Sequence, residues 1–141
     1  MLREEDLPLL ITGVAGVCGY NAEQYFRARY GQVIGVRPVS NWRLDGPGIL
    51  GDAQAVRELF QRYQFNTVLH CGGNCALKAC ELDPEMAWRV NVESVINLLD
   101  AMDGLPVRLL HLSSDLVFSG TGAVSHGEND PTDPFTVYGK T

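Results

Sequence analysis

Short, unbroken apolar runs recur along this chain, and stretches of helical character lie between them. The runs are Leu7–Thr12, Gln32–Val36 with its core Val33–Val36, Ile49–Gly51, Thr67–Cys71 and Val107–Leu112. None alternates strictly between apolar and polar residues, so each reads as a strand covered on both faces. The first intervening helix runs from near Val17 to Tyr30 and stops at Gly31, a residue suited to the C′ position. Asp52 reads as the N-cap of a second helix, Ala53–Tyr63, whose Val56, Leu59, Phe60 and Tyr63 fall at helical spacing. Asp83 caps a third, with Pro84 at its first position, extending to about Met102. Val39–Gly48 and Gly120–Pro134 are polar, rich in Pro or Gly, and read as loops. Alternating buried strands and helices predict an α/β fold: a doubly wound, Rossmann-like parallel sheet with right-handed crossovers. The 141 residues suffice for one domain with its own core.

The first strand runs directly into Thr12-Gly13-Val14-Ala15-Gly16-Val17-Cys18-Gly19 and then into a helix. That order makes an anion site. Glycines let backbone approach a pyrophosphate, and the free N–H groups of a helix N-terminus face its charge. A strand before the loop and a helix after it are what this mechanism requires. Gly13, Val14, Ala15, Gly16, Val17 and Gly19 are therefore candidate dinucleotide contacts. The end of the second strand selects between nicotinamide cofactors, because an acid there bonds a ribose 2′-hydroxyl and an arginine accommodates a 2′-phosphate. Arg37 occupies that place and Arg43 follows, which favours NADP over NAD.

A net charge of −6, with no basic run, argues against nucleic acid and anionic membranes as partners. No apolar run approaches the roughly 20 residues that span a bilayer, and the acidic N-terminus has no signal-peptide core, which leaves the cytoplasm as the expected location. Four cysteines, Cys18, Cys71, Cys75 and Cys80, lack the paired spacing of zinc sites, and read as free thiols rather than metal ligands or disulfides.

The segments Thr12–Gly19, His70–Glu81, Val90–Val92, Leu112–Gly120, Glu128–Pro134 and Val137–Lys140 occur in an order that resembles the extended short-chain dehydrogenase/reductase family. Within it the likeness is to dTDP-4-dehydrorhamnose reductases and related sugar-nucleotide-binding proteins, and it covers nearly the whole chain. The resemblance implies a catalytic pair: Ser114 hydrogen-bonding a substrate carbonyl and Tyr138 as the proton donor. It also implies cofactor contacts from Asp52, Ala53, Cys71, Gly72, Gly73 and Ser113, and a nucleotide-linked keto sugar as substrate. Ketone reduction needs a hydride on carbon and a proton on oxygen, and a phenol near the oxygen supplies the second. Free tyrosine has a pKa near 10 and needs a nearby cation to ionise readily at neutral pH.

In the family that cation is a lysine four residues after the tyrosine, here position 142, past Thr141. Lys140, two residues on, points about 200° away around a helix. The chain is thus expected to be an N-terminal fragment, truncated before the C-terminal substrate-binding part, inactive alone and open to homo-oligomerisation. Two departures from the family pattern stand out. Cys71-Gly72-Gly73 replaces small alanines, and Lys78 stands where the family has an acid, most simply as a surface charge. Two other functions share the same signature. One is a non-catalytic regulatory protein similar to the methionine adenosyltransferase β subunit. The other is a sugar-nucleotide epimerase or dehydratase.

Overall fold

The computed structural model describes residues 2–37, 49–121 and 125–141. Its centre is a parallel sheet of β1 (Leu9–Thr12), β2 (Val33–Val36), β3 (Thr67–His70) and β4 (Arg108–His111), in the order β2-β1-β3-β4. The registers pair Thr12 with both Val36 and His70, and His70 with His111. Gly13, Arg37, Cys71 and Leu112 therefore leave the sheet side by side along its carboxyl edge. The chain winds outward from β1 in both directions, which places a topological switch between β1 and β3.

Each strand face has its own core. Leu10 and Val68 pack with Leu50, Val56, Phe60, Phe65 and Leu98 beneath α2 (Ala53–Tyr63) and α5 (Ser94–Met102). Leu9, Ile11 and Val33 pack with Ala22, Phe26 and Tyr30 beneath α1 (Val17–Arg27). This is the doubly wound arrangement expected of unbroken apolar strands.

Three elements differ from the sequence reading. Ile49–Gly51 is a 3-10 turn, not a strand. Its Leu50 is fully buried, and the Leu50 carbonyl is taken by the Asn97 side chain at 2.8 Å instead of a neighbouring strand. The first helix ends at Arg27, before Gly31, because Arg29 and Tyr30 both turn their amides onto the Phe26 carbonyl, at 3.0 and 2.8 Å. That tight turn sets the Tyr30 ring tilted against Phe26, centroids 6.1 Å apart, and sends its hydroxyl to the Leu2 carbonyl at 3.3 Å. The third helix is preceded by a separate α3 (Leu77–Leu82). It then runs as α4 (Pro84–Trp88), a wide π turn over Arg89–Glu93, and α5. Ser94 feeds its hydroxyl to the Val90 carbonyl at 2.6 Å within that wide turn. A short α6 (Val137–Lys140) closes the described chain. The Asp52 and Asp83 caps form as read, their carboxylates accepting from Gln54 and Ala55, and from Met86. Arg43 and the Val39–Gly48 loop lie outside the described residues.

Candidate functional site

At the β1/β3 switch, two backbone segments touch. Gly13 has φ +71°, a left-handed conformation, and a Cβ there would sit 2.5 Å from the Cys71 carbonyl oxygen and 2.7 Å from the Gly72 nitrogen. Only glycine meets both demands. Gly19 meets the second demand alone, since a Cβ would strike the Gly13 carbonyl. Gly16 is the N-cap of α1 and brings no side-chain cap, so the first amides of the helix stay open to a ligand beside the exposed Val17. Bare helix amides between Gly13 and Gly19, neither of which admits a side chain, fit a pyrophosphate. Val14 and Ala15 form the rest of the turn, and the Val14 amide is tied to the Val36 carbonyl.

One hydroxyl locks this loop to the next strand. Thr12 Oγ1 accepts from the amides of Cys71 and Gly72, each at 3.2 Å, and lies 2.7 Å from His70 Nδ1. With two amides donating to the oxygen, the hydroxyl proton is directed at Nδ1, while His70 Nε2 is buried without a hydrogen-bond partner among the described residues. That ring is buried at 1 % exposure and stacks on His111 with centroids 5.0 Å apart. Burial, with His111 adding to it, holds the His70 pKa down at about 4, so the ring is neutral at ordinary pH. Burial likewise pushes the Cys71 thiol up, helped by neighbouring Cys18. Sequence reasoning assigned Thr12 to the loop but gave it no task. The signal was a hydroxyl at the end of a wholly buried strand, where an unpartnered one would be costly.

Beyond the carboxyl edge lies a cavity of about 240 Å³. It brings Gly72, Gly73, Ser113, Ser114 and Tyr138 together, with Asn91 and His111 in its wall. Ser114 caps a 3-10 turn at Asp115–Val117, accepting from the Leu116 amide at 3.2 Å and donating to Asp115 at 3.3 Å. Tyr138 sits on α6, and Lys140 also lines the cavity. Asn91, on the π turn, clamps the loop after β3: its Oδ1 accepts from the Asn74 amide at 2.7 Å and its Nδ2 donates to the Asn74 carbonyl at 3.2 Å. The wide turn aims it there.

Arg37 follows β2 and is exposed at the same sheet edge. Asp52 Oδ1 caps α2, accepting from Gln54 and Ala55 at 2.9 and 3.1 Å, and Ala53 opens that helix. The four cysteines are free. Among the described residues, no helix is long and apolar enough to cross a membrane.

A family model described as "RmlD substrate binding domain" matches residues 7–141. The chain is 32% identical to methionine adenosyltransferase 2 subunit beta of Xenopus tropicalis, covering 94% of this chain and 39% of that protein. It is equally 32% identical to dTDP-4-dehydrorhamnose reductase of Streptomyces griseus, over 94% of this chain and 41% of that protein. The chain thus spans about two fifths of the curated relatives it matches. A crystal structure of a dTDP-4-dehydrorhamnose reductase from Clostridium acetobutylicum superposes with a TM-score of 0.80 at 26% identity, over 94% of this chain and 45% of that one. Two further structures share the fold at 20% identity over 94% of this chain. One is a dTDP-4-dehydrorhamnose reductase from Bacillus anthracis in complex with NADP, with a TM-score of 0.77 over 45% of that chain. The other is a UDP-glucose 4-epimerase from Brucella ovis in complex with NAD, with a TM-score of 0.80 over 43% of that chain.

Proposed function

The chain belongs to the RmlD substrate binding domain family, and from that premise we propose that it is the cofactor-binding part of a cytoplasmic reductase. Its substrate would be a nucleotide-linked 4-keto sugar. The observation that carries this reading is the meeting of Ser114 and Tyr138 in one cavity, at the sheet edge where the glycine loop opens.

The amides behind Gly13, Gly16 and Gly19 would hold the pyrophosphate of a nicotinamide dinucleotide, with Gly72, Gly73 and Ser113 beside it. When bound, the reduced cofactor supplies a hydride to the carbonyl carbon. The protein's own task is the oxygen. Ser114 turns its proton from Asp115 to the carbonyl oxygen and polarises it. The Tyr138 phenol donates its proton to that oxygen as negative charge develops there.

Arg37 supports NADP, since a guanidinium at this strand end matches a 2′-phosphate. Titration of the chain, followed by quenching of intrinsic fluorescence, is expected to show NADPH binding at least tenfold tighter than NADH. Arg37→Ala is expected to abolish that preference. Equal affinities in the unaltered chain would remove the argument for NADP.

The equal likeness to methionine adenosyltransferase 2 subunit beta favours a second reading, a dinucleotide-binding regulatory protein. Turnover separates the two. In the full-length protein, reduction of a nucleotide keto sugar that Tyr138→Phe abolishes supports the reductase. Cofactor binding without turnover supports the regulator.

A further inference from the structure

The helix that carries Tyr138 has only four residues, Val137–Lys140, too short to hold itself in place. Its first amides need partners from outside. Thr136 supplies one, its hydroxyl accepting from the Gly139 amide at 2.9 Å. The other comes from far along the chain: Glu81 on α3 accepts the Val137 amide on Oε1 at 2.7 Å. Among the described residues Glu81 enters none of the ion pairs. Its carboxylate thus serves an amide at the start of α6 that the short helix cannot satisfy itself.

On the opposite side, Gly139 lies flush against the Leu116 carbonyl, where any Cβ would collide. Leu116 belongs to the turn that Ser114 caps. Asn91 anchors the end of α6, donating to Thr141 Oγ1 at 3.0 Å, and that hydroxyl donates to the Tyr138 carbonyl at 3.1 Å. Tyr138 is thus gripped between a carboxylate behind it and the Ser114 turn in front.

We propose that Glu81 is a positioning residue, whose carboxylate sets the turn carrying Tyr138 against the turn carrying Ser114. Its catalytic consequence rests on the reading of Tyr138 as proton donor. Two measurements test it separately. In the 141-residue chain, hydrogen exchange at the Val137 amide is expected to speed up on the order of tenfold in Glu81→Ala, as loss of one charge-assisted hydrogen bond implies. Glu81→Gln, which keeps an acceptor oxygen, is expected to stay close to the parent. The Asp83 amide, bonded to Ala79 within the α3 turn, should be unchanged in both and reports that the fold is intact.

In the full-length protein, Glu81→Ala is expected to lower kcat between tenfold and a hundredfold on the order expected for a misplaced catalytic group, with KM little altered. Glu81→Gln should restore most of it. Equal Val137 exchange in parent and Glu81→Ala overturns the proposal, as does normal kcat in a Glu81→Ala protein whose Val137 exchanges fast. Full activity in Tyr138→Phe overturns the reading of Tyr138 and with it the kinetic consequence, while the exchange result alone decides whether Glu81 holds the turn.

Discussion

At Thr12 a single hydroxyl serves three partners, and none has an obvious replacement. Removing it in Thr12→Val leaves the Cys71 and Gly72 amides and His70 Nδ1 without their bonds. Unsatisfied buried polar groups cost about 1–3 kcal/mol each, part of which relaxation recovers, so about 3 kcal/mol is expected in urea unfolding. Thr12→Ser keeps the hydroxyl and is expected to cost about 1 kcal/mol, the price of one buried methyl. His70 makes a second, independent prediction. Its folded pKa, about 4, lies below the ordinary 6.5, so between those values the unfolded chain binds the extra proton. Its contribution is complete above pH 6.5 and falls away as pH drops toward 4, by roughly 3 kcal/mol in all. The urea midpoint of the parent is expected to fall more steeply between pH 7 and pH 5 than that of His70→Asn. Parallel profiles would show that His70 titrates normally in the folded state.

At the scale of elements, α2 ends on Gln64, whose φ of 48° and ψ of 58° place a non-glycine residue in the left-handed region. Its amide closes the helix on the Phe60 carbonyl at 2.9 Å, a bond that glycine would keep. Gln64→Gly is expected to stabilise the chain by about 1 kcal/mol, read as a rise in the thermal midpoint. No sequence signal marked that strain, because helix periodicity ends before the cap begins. Other elements were legible to the degree that one residue type forces them. Unbroken runs such as Val33–Val36 found the strands, and Asp52 and Asp83 marked where their helices start to the residue. Gly13 was legible because its conformation and close approach leave no alternative. Ile49–Gly51 was not, since three apolar residues suit a strand or a buried turn equally, and only Asn97, 47 positions away, decides it. The π turn at Arg89–Glu93 was hidden for the same reason: its apolar spacing is that of a helix, and its width matters only once Asn91 meets Asn74. Glu81 escaped notice because its partner is a backbone amide 56 residues on, which composition cannot show.

For the molecule as a whole, surface is the telling quantity. Among the described residues β4 is an edge strand of the sheet. On the α1 side of the sheet, Ile11, Leu69 and Leu110 lie in one register row. Ile11 is sealed under α1, which packs on β1 and β2, whereas Leu110 is 46% exposed and Leu112, just past the strand, 50%. An apolar edge strand with unpaired backbone groups is a template for pairing with another chain. Sedimentation velocity is therefore expected to show self-association that grows with concentration in the 141-residue chain. Leu110→Lys places a charge on that edge, the device by which soluble sheets protect such strands, and is expected to shift the distribution toward monomer. The substitution should leave the crevice alone, because Leu110 is absent from the cavity that holds Ser114 and Tyr138. Cofactor affinity unchanged alongside reduced association would locate the contact at the β4 edge. Association equal in parent and variant would place it elsewhere on the surface, with the half-exposed Ile96 and Leu99 of α5 the next face to charge.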